Sequence, residues 1–159
     1  FNFLVMEVFY SFTSSSEIVF SWINNNKAVG MCCVKQHPKD STLWTVEYIR
    51  TIKRGLGPKI YDCAMHYLTQ QGSWLTSSRG IVSIKAVNVW EYYYNNRQDV
   101  TKQVLEDQET LNTRKGQYYS FLNWKYQQGL TKTIPKLTLV TPDSSEIKLA
   151  WNLFNSWKQ

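Results

Sequence analysis

The stretch Lys53-Arg54-Gly55-Leu56-Gly57-Pro58-Lys59 decides how the chain is read, because the hydrophobic period changes across it. Ahead of it, residues 17–23 place Ile18, Phe20 and Trp22 on one face and Val19, Ser21 and Ile23 on the other, the period of two of a β-strand. Behind it, residues 59–70 carry Ile60, Tyr61, Ala64, Met65 and Leu68 in one stripe at helical spacing. The segment between is a basic, glycine-rich connection from strand to helix. Gly55 and Gly57 let the backbone approach an anion, a helix start leaves N–H groups unpaired, and its dipole favours negative charge. Pro58 is expected as the first helical residue, where a missing N–H costs nothing. The loop is not a dinucleotide fingerprint, since Ile60 stands at the place of its third glycine, and it lacks the Gly-Lys-Ser/Thr of a P-loop.

On the N-terminal side, Asn24, Asn25 and Asn26 form a turn into a second strand over residues 27–35 around Gly30. A turn over 37–41 with Pro38 leads to a third strand over 42–49, and the three read as an antiparallel meander. On the C-terminal side, Gly72 can end the helix in a left-handed conformation, and residues 74–76 are a short strand. Ser83 then caps a second helix over 84–94, with Ala86, Val89, Trp90 and Tyr93 as its buried stripe and Asn95 and Asn96 as its stop. Residues 98–128 are more polar, with a helix expected over 103–111 and an aromatic stretch over 118–126. A late strand over 136–140 precedes a closing helix over 146–157 that carries Ile147, Trp151, Leu153, Phe154 and Trp157.

The chain has 159 residues, the size of one domain, and 43% hydrophobic with 19% charged residues excludes a disordered chain or a coiled coil. The fold class expected is mixed α/β, a mostly antiparallel sheet flanked by helices. Cys32, Cys33 and Cys63 show no metal-ligand spacing, and neighbours on a strand point to opposite faces, so buried, reduced thiols are expected. His37 and His66 lie far apart in sequence and support no nucleophile–histidine pair. No apolar run is long enough for a membrane helix, residues 1–10 lack the basic start of a signal peptide, and a chain that begins without Met is read as a fragment or an ordered portion. The net charge of +6 is spread evenly over both halves; its local concentration is Arg50, Lys53, Arg54 and Lys59, a stretch without an acid. Aromatic residues make up 15%, more than a core this size needs, so some are expected at a pocket or partner surface.

A meander feeding a glycine-rich loop and helix, then a short strand and a helix with Ala86, Val89 and Trp90, resembles the GNAT superfamily of N-acyltransferases over residues 17–96. Within it the chain is similar to bacteriophage proteins described as acetyltransferase-like. The likeness rests on Arg54-Gly55-Leu56-Gly57-Pro58, Tyr61-Asp62, Ala64-Met65, Leu75-Thr76, Val82-Ser83, Ala86, Val89-Trp90, Tyr92-Tyr93, Asn96-Arg97 and Asp99-Val100. Two positions depart from the superfamily pattern: Ile52 stands where Arg or Gln is usual before the loop, and Trp90 where many members have a thiolate-protonating Tyr.

The resemblance implies a GNAT-like core over residues 1–100, an extension with a helical segment over 101–159, acetyl-CoA as cofactor and no metal. Val46, Lys53, Arg54, Gly55, Leu56, Gly57, Pro58 and Lys59 would bind the cofactor. Glu47, the carboxylate of the strand over 42–49, is the general-base candidate, because an amine must lose a proton before it can attack. Tyr93, with Tyr94 beside it, is the candidate substitute acid and Ser83 a further catalytic candidate; each has a structural alternative, packing for the tyrosines and capping for Ser83. The implied activity is acyl transfer to an amine whose carrier the sequence does not specify. The alternatives are a catalytically degenerate binding protein, such as a virion component or host-defence inhibitor, and a Mom-like modifier of DNA adenine. The aromatics after Tyr118 are the candidate surface for a protein partner, nucleic acid is less favoured because the basic residues are dispersed, and no membrane partner is expected. A phage-encoded enzyme of this kind would act in the host cytoplasm, with the virion as the alternative location.

Overall fold

The computed structural model describes residues 7–52, 56–76, 92–93, 95–97, 100–104, 122–126 and 136–156. In chain order these form β1 (Glu7–Ser14), β2 (Glu17–Asn24), β3 (Lys27–His37), β4 (Asp40–Thr51), α1 (Gly57–Gln70), β5 (Trp74–Thr76), β6 (Val100–Val104), β7 (Leu122–Tyr126), β8 (Leu137–Leu139) and α2 (Ser145–Ser156). Hydrogen bonding orders the strands β6-β7-β5-β4-β3-β2-β1-β8. The sheet is mixed and mostly antiparallel, with β1–β8 and β4–β5 as parallel pairs, so the fold class is the α/β arrangement expected. Two compact units share the chain: Phe1–Lys35, Glu47–Ala64 and Thr133–Gln159 form the first, Gln36–Val46 and Met65–Lys132 the second.

In the first unit β1 and β2 pair antiparallel, with Phe9 opposite Ser21 and Tyr10 opposite Phe20. Asn25 and Asn26, at φ 51° and 62°, make the two-residue turn into β3; Asn tolerates this left-handed geometry, and it matches the twist of paired strands. β1 was not anticipated. Of its residues only Val8 and Ser11 are buried, so the alternation that marks a half-buried strand is broken. α2 follows a cap: the Ser144 hydroxyl accepts the Ile147 N–H at 3.4 Å, and the Lys148 N–H donates to the Ser144 carbonyl at 3.0 Å. Its buried face of Ile147, Ala150 and Phe154 packs on Val19, Met31 and Cys33. The Ser21 hydroxyl donates to the Glu146 carbonyl at 2.9 Å and ties the first turn of α2 to β2.

In the second unit β5 lies parallel to β4, with Leu43, Trp44 and Thr45 opposite Trp74, Leu75 and Thr76. β7 pairs antiparallel with β5, and β6 with β7. α1 ends as expected at Gly72, φ 74°, where the Ser73 N–H reaches the Leu68 carbonyl and the Gly72 N–H the Thr69 carbonyl, at 2.8 and 3.0 Å. Two expectations change. Gln103 and Val104 belong to β6 rather than to a helix over 103–111; the rest of that range lies outside the described residues. Asn95 and Asn96 are helical, and the Arg97 N–H donates to the Tyr93 carbonyl at 3.2 Å, so the helix does not stop before them. Among the described residues, the range 100–159 holds β6, β7, the expected late strand as β8, and the expected closing helix as α2.

Candidate functional site

The end of β4 and the start of α1 meet in the first unit at the glycine-rich connection. Its entry is held by the Ile52 N–H, which donates to the Val29 carbonyl of β3 at 3.0 Å, although the Ile52 side chain is 56% exposed. Its exit is Leu56, 4% exposed, whose carbonyl accepts the N–H groups of Lys59 and Ile60, both at 3.1 Å. Gly57 therefore opens the helix and Pro58 is its second residue, not its first. Lys59 and Ile60 direct their amides back to Leu56, and Pro58 has none to give. Among the described residues, no hydrogen bond of the first turn uses the Gly57 N–H. Lys59, two residues on, is exposed, and the turn contains no acid. An anion at this point would meet one backbone donor and the positive end of a helix dipole, with the charge of Lys59 in the same turn.

Lys53, Arg54 and Gly55, expected to bind cofactor, and Ser83, expected at the second helix, lie outside the described residues. Val46 is 7% exposed and belongs to the second unit. Glu47 is exposed and begins the first-unit part of β4. Its neighbour Tyr48 turns to α2, with its ring 4.6 Å from that of Phe154 and edge-on to Trp151 at 6.3 Å. Strand alternation assigns Glu47 to the opposite face. Arg50, part of the basic cluster in the sequence, instead sets its guanidinium 5.3 Å over the Phe154 ring and donates to the Ile49 carbonyl at 2.9 Å. Phe154, among the aromatics proposed as partner surface, is thus 8% exposed and enclosed.

Tyr93 belongs to the second unit and has no solvent exposure. Tyr92 meets its ring edge-on at 5.9 Å, and the Arg97 guanidinium lies 5.0 Å from its centroid. The three cysteines are free and buried. Burial, with a smaller contribution from the charges of Glu17 and Glu47, pushes the Cys33 thiol up to about 12. Burial raises Cys63 and Cys32 as well, so none is an activated nucleophile at neutral pH. Among the described residues, no group of three or more His, Cys, Asp or Glu could hold a metal, and no helix is long and apolar enough to cross a membrane.

One feature of this region was not drawn from the sequence. Gly30 on β3 faces Ile60 of α1, and a Cβ built there would fall on Ile60 Cδ1. The signal available was a single glycine inside a run of β-formers, which often marks close backbone approach.

No protein-family model matches the chain, and no curated protein matches it. Among solved structures it is similar to an aminoglycoside acetyltransferase, meta-AAC0020, from an uncultured soil metagenomic sample, determined in complex with trehalose. The identity is 14%, the match covers 60% of this chain and 66% of that one, just under two thirds of its length, and the TM-score is 0.41.

Proposed function

We propose that the chain is an acetyl-CoA-dependent N-acyltransferase of the GNAT kind, phage-encoded, acting on an amine in the host cytoplasm. The observation that carries it is the start of α1, where among the described residues no hydrogen bond uses the Gly57 amide and Lys59, in the same turn, is exposed. These residues fit a pyrophosphate, whose oxygens accept hydrogen bonds and whose charge favours a helix N-terminus. Bound acetyl-CoA would supply the acyl group as an activated thioester. Gly57 and Lys59 would hold its diphosphate, with Lys53, Arg54 and Gly55 completing the loop. Glu47, exposed on the face of β4 opposite Tyr48, would accept the proton that an acceptor ammonium must lose, directly or through water.

A non-catalytic binding protein of the same shape is the alternative. It is favoured by Tyr93, whose complete burial leaves its hydroxyl no solvent-exposed route to a departing thiolate, and by Ile52 at a place where the superfamily has a polar side chain. Calorimetry with acetyl-CoA separates the two. Binding at micromolar to sub-millimolar cofactor is expected, and Gly57→Val should weaken it at least tenfold; absence of binding at millimolar cofactor overturns the enzyme.

A further inference from the structure

We propose that Gly30 is a positioning residue for the anion-binding loop: by having no side chain, it lets Ile60 seat the first turn of α1 against β3. The inference rests on the cofactor site proposed above. Gly30 is buried in the interior of β3 and does not occupy the left-handed region, so backbone conformation does not require a glycine there. Space does. A Cβ at Gly30 would fall on Ile60 Cδ1 and lie 3.3 Å from Trp22 Cε3 and 3.4 Å from Ile60 Cγ1.

Ile60 is 1% exposed and is the residue whose N–H closes the first helical turn on Leu56. A shift of the Ile60 backbone would be passed to Leu56 through this hydrogen bond. The other end of the loop is held by the adjacent residue of the same strand, since the Ile52 N–H donates to the Val29 carbonyl at 3.0 Å. The dipeptide Val29-Gly30 thus touches both ends of the connection, one through a hydrogen bond and one through a contact in which a Cβ would have to displace the Ile60 Cδ1 methyl. The spacing between Ile52 and Leu56 follows, and with it the place where the Gly57 amide is presented.

The offending atom suggests the test, because Ile60→Val deletes Cδ1 and little else. Acetyl-CoA affinity would be measured by calorimetry for the wild type, Gly30→Ala, Ile60→Val and the double variant, with circular dichroism to confirm folding. Gly30→Ala should weaken binding at least tenfold, Ile60→Val should change it less than threefold, and the double variant should recover to within threefold of wild type. General loss of packing predicts no such recovery, since two core substitutions would then add. A folded Gly30→Ala that binds like wild type overturns the inference, and so does a double variant that is not rescued. If Gly30→Ala does not fold, the double variant should fold and bind; its failure to fold also overturns the inference. If the wild type binds no acetyl-CoA, the proposed function fails on its own. The positioning role is then read from amide exchange over residues 56–60, which must accelerate in Gly30→Ala and return in the double variant, and unchanged exchange overturns it.

Discussion

Glu47 and Arg50 lie on the same strand, and only their surroundings separate a candidate for chemistry from a packing residue. Glu47 is exposed, whereas Arg50 covers the Phe154 ring; since Lys59 is exposed, a basic cluster that looked uniformly anion-directed in the sequence divides in the fold. That division was not legible, because the ring belongs to a helix far along the chain. If Glu47 is the general base, Glu47→Gln should lower turnover by about a hundredfold near neutral pH. The deficit should shrink at alkaline pH, where the amine is already neutral. A pH–rate profile parallel to wild type removes Glu47 from the mechanism. The turn at Asn25-Asn26 was legible in full, since three consecutive Asn between two β-patterned runs carry their own conformational instruction.

At the scale of elements, periodicity revealed what is half-buried and missed what is not. β2, β3, β4, α1 and α2 announce themselves by regular apolar spacing, and α1 buries Ile60, Tyr61, Ala64, Met65 and Leu68 as the stripe requires. β6 reads Val-Thr-Lys-Gln-Val and is a strand through its pairing with β7, which polar side chains do not advertise. Leu137–Leu139 was found within the strand expected over 136–140, although its parallel pairing with β1 was not. α2 shows how bulky residues near a chain end can be core: Phe154 fills the space between Val19, Met31, Cys33 and the Tyr48 ring. Phe154→Ala should therefore cost about 3–5 kcal/mol of folding stability, measured by urea denaturation. A loss under about 1 kcal/mol would show that α2 is not packed as described.

For the whole molecule, the three enclosed thiols couple stability to pH. Cys33 is raised to about 12, and Cys32 and Cys63 are raised by burial too. An unfolded chain would ionise its thiols from about pH 8.5. Above that value the folded state holds more protons than the unfolded state, so these groups favour folding below it and that contribution is lost as pH rises toward 12. The urea midpoint should fall steadily between pH 8.5 and 11, less steeply in Cys33→Ala. At pH 8 a thiol reagent should label none of the three cysteines in the native protein and all three in urea; rapid native labelling would contradict their burial.

The parallel pairing of β1 with β8 sets the order in which the molecule can be completed. Val8 pairs with Leu137 and Tyr10 with Leu139, while α2 covers Val19 and Met31. During synthesis, β1 to β3 emerge long before the segments that finish their edge and cover their face. Until residues 137–154 have left the ribosome, one edge of β1 and the apolar surface around Val19 stay open, and such distant pairing closes slowly. A nascent chain halted before β8 should then be the species most in need of a chaperone, whereas a chain that includes β8 and α2 shields both surfaces with them.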